Sequence, residues 1–158
     1  MKVTAHFSAS ELTTTSTGLG NYPSAGDTWC NLTRLCCTVL EPLRALVGPL
    51  RVNSGYRSEA VNAAVGGSTN SAHLYGRAAD IVPLTAGENA LDLILTLEES
   101  LIDFDKAILE YRGNQPWLHV QVRDASRENR RILLMSLEPG EFVPFDEIDP
   151  RLDEWRNG

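Results

Sequence analysis

Two side chains that can bind a metal ion lie seven residues apart in the middle of the chain. His73 and Asp80 enclose a short segment that contains Gly76 and leads into an apolar run. Zinc favours neutral imidazole and carboxylate ligands, and a catalytic zinc site needs about three protein ligands with a further position left for water. This segment offers two of them. The candidate for the third is His119, in the downstream sequence Trp117-Leu118-His119-Val120.

The composition is that of one acidic domain. The chain has 158 residues, 42% of them hydrophobic, which suits a single domain, residues 1–158, with one core. The net charge is −7 and there is no block of five or six basic residues, so the charge pattern of a nucleic-acid-binding protein is missing. No apolar run could span a bilayer, and the start of the chain lacks the apolar stretch of a secretory signal. We expect a monomer without a membrane span that stays in the cytoplasm or is delivered outside by another route.

The three cysteines, Cys30, Cys36 and Cys37, fall within one predicted helix. An odd number of cysteines in one helix is a poor disulfide framework, and their spacing does not resemble a zinc-ligand pair. We interpret them as small apolar residues in a reducing compartment. A redox or metal role for them is the weaker alternative.

The elements that must position the candidate ligands are helices and short strands. Ser8-Ala9-Ser10-Glu11 is a capping box and predicts a short helix. Apolar residues at helical spacing from Leu32 to Val47 predict a long amphipathic helix, bent or restarted at Pro42. Further patterns predict a strand at 50–52, a helix at 59–65, a strand at 78–82, a helix at 88–98, a hairpin of 106–111 with 117–122, and a last strand at 131–135 followed by an acidic tail.

The period of the hairpin strands limits their register. If the apolar residues of both strands pack on the same core, Glu110 lies directly opposite His119 on the other face, with Cβ atoms about 4.5–5.5 Å apart. That register needs a turn of even length, either Asn114-Gln115 or Gly113 to Pro116. The pattern alone therefore brings a carboxylate beside the third candidate ligand.

Three short motifs follow one another in the chain. They are Asn53-Ser54-Gly55-Tyr56-Arg57-Ser58, then Ser71-x-His73-x-x-Gly76-x-Ala78-x-Asp80, then Trp117-Leu118-His119-Val120. In this order they resemble the motifs of the zinc D-Ala-D-Ala carboxypeptidase family, which includes D-Ala-D-Ala dipeptidases and phage L-alanyl-D-glutamate endopeptidases. The start, residues 6–12, is similar to the compact single-domain branch that is often borne by phages. The resemblance covers residues 6–122 and leaves 123–158 without a motif.

The resemblance implies an α+β fold with a central antiparallel sheet flanked by helices, as in DD-peptidases and hedgehog proteins. It implies zinc held by His73, Asp80 and His119, and attack of water on a peptide carbonyl. It implies that Arg57 contacts the scissile carbonyl oxygen or a substrate carboxylate, and that Ser71 lies near the substrate. Three aromatic residues are further candidates for lining the cleft: Tyr56, Tyr75 and Trp117.

The position of the general base departs from the common family pattern. Many members carry an acidic residue three positions before the last zinc histidine, and Pro116 occupies that position here. In the compact branch the acid lies further back, in a segment that resembles Leu109-Glu110-Tyr111. Since the strand register also brings Glu110 beside His119, we assign Glu110 as the general base and proton shuttle.

Two classes of function follow from the resemblance. The first is a zinc metallopeptidase that cuts peptidoglycan stem peptides, at a D-Ala-D-Ala bond or at an L-Ala-D-Glu bond in an endolysin-like role. Such a protein would be released by phage lysis or carried in a virion, although an acidic protein is not an obvious match for an anionic cell wall. The second is a non-catalytic, zinc-stabilised binding domain or virion component of the same fold. Replacement of Glu110 by Gln separates them, because only the first has cleavage to lose.

Overall fold

A six-stranded sheet forms the centre of the computed structural model, which describes residues 1–112, 115–138 and 140–156. Its strands in chain order are β1 (Leu50–Ser54), β2 (Ala78–Pro83), β3 (Lys106–Arg112), β4 (Gln115–Gln121), β5 (Ile132–Ser136) and β6 (Val143–Pro144). In space they lie in the order β1-β2-β4-β3-β5-β6. All neighbouring pairs are antiparallel except β3 and β5, which run parallel. The expected α+β fold is confirmed, and β5 makes its sheet mixed.

Helices pack around this sheet. They are α1 (Ala9–Leu12), α2 (Gly26–Leu35), α3 (Glu41–Val47), α4 (Glu59–Ala64), α5 (Ala90–Glu99) and α6 (Asp153–Arg156). The predicted capping box is present at α1, where the Ser8 side chain accepts a hydrogen bond from the Glu11 N–H. A π-helical segment, Cys36–Leu40, joins α2 to α3, so the long amphipathic helix is continuous. Pro42 is the second residue of α3, which directly follows the π-helical segment, so its missing N–H falls where the helix changes its hydrogen-bonding pattern.

The sheet has one apolar face and one polar face, because successive side chains of a strand point to opposite sides. The apolar face packs against α5 and joins the main core. Its buried residues include Ala79, Ile81, Ala107, Leu109, Leu118 and Val120. Burial of one large apolar side chain contributes about 1.5–3 kcal/mol, so this face holds the sheet and helices together. The opposite face is left free to carry polar side chains.

The hairpin of β3 and β4 has a different register from the predicted one. Glu110 pairs with Trp117, and His119 pairs with Ile108. The prediction that Glu110 lies directly opposite His119 is therefore wrong. Both residues nevertheless lie on the polar face, because residues two apart in a strand share a face. Glu110 is a diagonal neighbour of His119.

The length of the ladder explains this shift. The pairing of β3 with β4 continues to Arg112 and Gln115, so Gln115 and Pro116 belong to β4 and not to the turn. Both predicted turns included at least one of these two residues. The positions between the strands, 113 and 114, lie outside the described residues. Alternation alone could fix the face of each side chain, but the register depended on where the turn begins.

Two further expectations concern the helices. No helix in the described ranges is long and apolar enough to cross a membrane. The three cysteines lie on α2 and the π-helical segment and are free thiols. Cys36 is buried, and burial raises the pKa of its thiol to about 12.

Candidate metal centre

The three predicted ligands converge on one point of the polar face. Nε2 of His73 lies 3.3 Å from Oδ1 of Asp80 and 3.3 Å from Nδ1 of His119, and the Asp80 oxygen lies 3.0 Å from the same Nδ1. A tetrahedral zinc ion with bonds of about 2.0–2.1 Å separates its ligand atoms by roughly 3.3 Å. All three side chains are buried. The donor set and its spacing therefore fit zinc.

One helical turn places His73. Ser71 precedes the 3₁₀-helix Ala72–Tyr75, and its hydroxyl accepts a hydrogen bond from the His73 N–H at 3.3 Å. Gly76 ends the turn with φ +67°, and a Cβ at this position would lie 2.7 Å from the Thr28 carbonyl oxygen. In the spacing Ser-x-His-x-x-Gly, the serine thus caps the turn, the histidine supplies the candidate ligand, and the glycine ends the turn in a left-handed conformation. Ser71 orients His73 in addition to lining the cleft.

Strand pairing places the other two ligands. Asp80 on β2 and His119 on β4 form a directly facing pair in the antiparallel ladder, so their side chains leave the same face. On the other side of β2, the register of β1 shifts between Val52 and Ser54, and this bulge aligns Ser54 with Asp80. Bulges beside functional sites commonly re-aim a side chain in this way.

Hydrogen bonds behind the two histidines fix their tautomers. Nδ1 of His73 donates to the Gly55 carbonyl oxygen at 2.6 Å, and Nε2 of His119 donates to Oε1 of Gln121 at 3.1 Å. The opposite ring nitrogens are thereby the ones that face the metal position. Gly55 is required for this approach, because a Cβ there would collide with the carbonyl oxygen of Leu12.

The contact with Gln121 continues away from the metal position. Nε2 of Gln121 donates to Oδ2 of Asp105 at 3.0 Å. Asp105 is fully buried and accepts two further hydrogen bonds from Arg130, at 2.7 and 2.9 Å. The chain of hydrogen bonds from His119 therefore ends in the ion pair of Asp105 with Arg130, whose charges cancel. Sequence reasoning missed these three residues, since none lies in a motif and only the spacing of two between His119 and Gln121 hinted at a shared face.

The charge states of Asp80 and His73 suit a cation, whereas for His119 burial would lower the pKa but contacts with Asp80 raise it, so a metal ion would displace a proton from that ring. Burial alone would raise the pKa of the Asp80 carboxyl, but its interactions with His73 and His119 hold that pKa well below its ordinary range. Burial lowers the pKa of His73, which favours its neutral ring. A carboxylate and a neutral imidazole are the forms in which these side chains bind zinc.

Arg57 is tied to the metal centre by two hydrogen bonds. Its Nη2 donates to Oδ2 of Asp80 at 2.5 Å, and its Nε donates to Oγ of Ser54 at 2.8 Å. The guanidinium therefore holds the carboxylate oxygen that does not face the histidines. Arg57 also lines the cleft over the metal centre, and the substrate contact that the family resemblance implies stays a prediction.

That cleft has a volume of about 530 Å³ and brings together most of the predicted site. Besides the three ligands and Arg57, its lining includes Glu110, Ser71 and Trp117. Burial raises the pKa of the Glu110 carboxyl, although the interaction with His119 opposes this shift. The indole N–H of Trp117 is buried and has no hydrogen-bond partner among the described residues.

Tyr56 and Tyr75 lie outside this cleft. They line a neighbouring pocket of about 510 Å³, which shares Arg57 and Gly67 with the cleft. The two residues are thus placed beside the metal centre and not over it.

The cleft also contains residues that sequence reasoning missed. Ile108 faces His119 across the hairpin and lines the cleft. Phe142, from the tail without motifs, lines it too and is 56% exposed. An apolar residue at an isolated tail position carries no signal in a single sequence.

The structure explains why an acid at position 116 could not serve this site. Pro116 lies within β4 and pairs with Tyr111. It is three residues from His119, and an odd separation in a strand places the two side chains on opposite faces. Glu110 is the acidic residue that shares the face and the cleft of the ligands.

Two comparisons with known proteins bear on this arrangement. A segment of 44 residues is 48% identical to the zinc D-Ala-D-Ala carboxypeptidase of Streptomyces albus G, and it covers 27% of this chain and 17% of that relative. The chain thus spans only a small part of the relative's length. The model of the peptidase M15 family matches residues 5–121, which contain all three ligands. With most of its length matched in this way, the chain belongs to the peptidase M15 family.

Proposed function

We propose that the chain is a zinc-dependent peptidase that hydrolyses the stem peptides of bacterial peptidoglycan. The bond is D-Ala-D-Ala, in a carboxypeptidase, or L-Ala-D-Glu, in an endolysin-like endopeptidase released by phage lysis or carried in a virion. The observation that carries the proposal is the triangle of His73, Asp80 and His119 in a cleft that also holds Glu110 and Arg57. Family membership supports the reaction class, and the partial carboxypeptidase relative supports the substrate class.

The three ligands would hold a zinc ion, which acts as a Lewis acid. When bound there, zinc supplies positive charge that polarises the scissile carbonyl and lowers the pKa of a water molecule. Glu110 accepts the proton of the attacking water and passes it to the leaving amine. Its raised pKa suits this double role, because the carboxyl must both take up and release a proton near neutral pH.

Arg57 is placed to bind the substrate while it holds Asp80. A guanidinium has five N–H donors, and the contacts with Asp80 and Ser54 use two of them. The remaining edge can donate to the oxyanion that develops on the scissile carbonyl or to a substrate carboxylate. Trp117 offers a further donor, since its buried indole N–H lacks a described partner.

The test is metal analysis of the purified protein together with digestion of purified peptidoglycan, with products identified by mass spectrometry. We expect about one zinc per chain and cleaved stem peptides, whose masses name the bond. One zinc without cleavage across several wall types would favour the non-catalytic binding module. A protein purified without chelator that contains no zinc would contradict the metal site itself.

A further inference from the structure

A second cavity, of about 710 Å³, lies beside the end of β4. Its lining is rich in charged side chains and shares no residue with the cleft over the metal centre. We call it the arginine pocket, after its charged residues Arg77, Arg123, Arg127, Arg130, Asp105 and Asp124.

The arginine pocket is positive within a negative protein. Its lining holds four guanidinium groups and two carboxylates, an excess of two positive charges, whereas the whole chain carries −7. A concave site lined by one sign of charge concentrates ions of the opposite sign. The pocket is therefore a place where this acidic protein attracts anions.

The two carboxylates neutralise only part of this charge. Asp105 forms a bidentate pair with Arg130, and its Oδ1 lies 4.0 Å from Nε of Arg123. Asp124 accepts hydrogen bonds from the backbone and hydroxyl of Ser126 and lies 3.7 Å from Arg77. Arg127 is exposed, and no ion pair joins it to a described residue.

Arg77 has a guanidinium group that is restricted in orientation but not fully hydrogen-bonded among the described residues. Its guanidinium lies 4.6 Å from the centroid of the Tyr75 ring, which restricts its orientation. Its Nε is buried and has no hydrogen-bond partner among the described residues. The guanidinium of Arg77 therefore keeps donor capacity that no described residue uses.

The pocket adjoins the metal centre through one side chain. Gln121 accepts a hydrogen bond from His119 at 3.1 Å and donates one to Asp105 at 3.0 Å. Asp105 and Gln121 both line the pocket. Because Gln121 lines the pocket and bonds directly to His119, the pocket begins one hydrogen bond from this candidate metal ligand.

We propose that the arginine pocket binds a carboxylate of the stem peptide and anchors the substrate beside the metal centre. This inference rests on the proposed function for the identity of the ligand. Planar guanidinium groups bind carboxylates through paired N–H donors, and stem peptides carry free carboxylates at D-Glu. Such a site also reconciles an acidic protein with an anionic wall. A phosphodiester of a wall polymer offers the same oxyanion chemistry, so the test must separate the two sources.

The test is equilibrium binding by calorimetry to the zinc-loaded full chain that carries Glu110→Gln, so that probes are not consumed. The probes are a stem tripeptide beginning L-Ala-D-Glu with free carboxylates, the same tripeptide with these carboxylates amidated, and a glycerol phosphate oligomer. Arg77→Gln and Arg127→Gln are compared with Arg51→Gln, a matched change of an exposed arginine on β1. Because the Arg127 side chain is exposed and forms no described ion pair, its variant tests the pocket even if Arg77→Gln does not fold.

We expect each pocket variant to bind the carboxylate peptide about tenfold more weakly, as for loss of one charge-assisted hydrogen bond, and the amidated peptide without change. Arg51→Gln should leave both affinities unchanged. Equal weakening for both peptides, no weakening for either, or a loss confined to the glycerol phosphate oligomer would overturn the assignment. Since binding is read without turnover, a protein that binds in this way but cuts no wall would refute the proposed function and keep the pocket.

Discussion

Glu110 lies diagonally across from His119 on neighbouring strands, on the face of the sheet that carries the metal ligands. The Cα atoms of such diagonal neighbours lie roughly 7–8 Å apart, which leaves room for a water molecule between their side chains. A directly facing carboxylate would lie close enough to compete with Asp80 for the metal. The observed register therefore favours a base that acts on water.

Replacement of Glu110 by Gln keeps the shape of the side chain and removes its basicity. We expect the hydrolysis rate to fall by about 10²–10⁴ while the zinc content stays unchanged. Steady-state kinetics on stem peptides and metal analysis measure the two effects. Glu99→Gln, the same change at an exposed position of α5, is the control. Wild-type cleavage by Glu110→Gln would show that another group is the base.

Removal of the metal should destabilise the fold, because its ligands join segments up to 46 residues apart. Zinc at a thousand times its Kd adds about 4 kcal/mol to the free energy of unfolding, or roughly 8–16 °C in Tm for a chain of this size. Thermal unfolding with chelator, and again after zinc is restored, measures the difference. His73→Gln should abolish the response and His6→Gln should retain it. A Tm that does not respond to zinc would argue against a bound ion.

Gln121 positions His119, and its replacement should lower the affinity for zinc although no ligand is removed. Gln121→Leu removes the acceptor for Nε2 of His119 and the donor to Asp105. We expect zinc affinity to fall by about 10–100-fold, as measured by competition with a chelator. The electronic spectrum of the cobalt-substituted protein should change as well, which loss of packing alone would not cause. Gln115→Leu, on the same strand, should behave as wild type, and unchanged affinity in Gln121→Leu would refute this role.

Gly55 is a further position where a small change should have a large effect. A Cβ at Gly55 would collide with the Leu12 carbonyl oxygen and displace the carbonyl that binds His73. We expect Gly55→Ala to lower the free energy of unfolding by about 1–3 kcal/mol and to weaken zinc binding. Denaturant unfolding measures the first effect. At Gly20, where a Cβ would meet no atom within 4 Å, the same substitution should be nearly neutral. Equal effects at both positions would contradict the steric argument.

Glu41 should make the free energy of unfolding depend on pH, independently of the metal site. Its carboxylate accepts hydrogen bonds from the Thr4 hydroxyl at 2.6 Å and the His6 N–H at 2.9 Å, and it contacts the His6 ring at 2.7 Å. Burial alone would raise its pKa, but these contacts lower it from 4.5 to about 2. The folded state therefore favours the ionised carboxyl.

Since the folded pKa lies below the unfolded one, this stabilisation is complete above about pH 4.5 and is lost as the pH falls toward 2. We expect wild type to be more stable than Glu41→Gln at neutral pH, with a difference that shrinks over this range. Urea denaturation at a series of pH values measures it. A difference for Glu41→Gln that stays constant over this range would refute the prediction.

The placement of His73 and Asp80 could be predicted because one local motif contains both, whereas His119 came from a separate motif, Trp117-Leu118-His119-Val120. Ser71, His73 and Gly76 form one capped turn, and Asp80 follows as the third residue of the next strand. The face of the sheet that carries Glu110 could be predicted equally well, since a strand has a period of two residues. What the period could not give was the facing partner, which depends on where the turn begins.

Contacts between distant segments that carry no motif could not be predicted from the sequence. The bond from Gln121 to Asp105 and the pair of Asp105 with Arg130 join residues that share no motif. The parallel pairing of β5 with β3 is likewise set by packing and not by the pattern of β5 itself. Phe142 reaches the cleft only because β5 and β6 bring the tail back to the sheet.

The two-residue strand β6 has a consequence for solubility. It covers part of the outer edge of β5, and the Phe145 N–H binds the Leu133 carbonyl oxygen just beyond it. Pro144 lacks an N–H, so this side of the sheet ends on a short strand with few free donors, a design that discourages pairing between molecules. Loss of the tail would expose β5, five uncharged residues that include Ile132 and Leu134, as an open edge. Truncation before β6 should thus make the chain more prone to aggregate through β5.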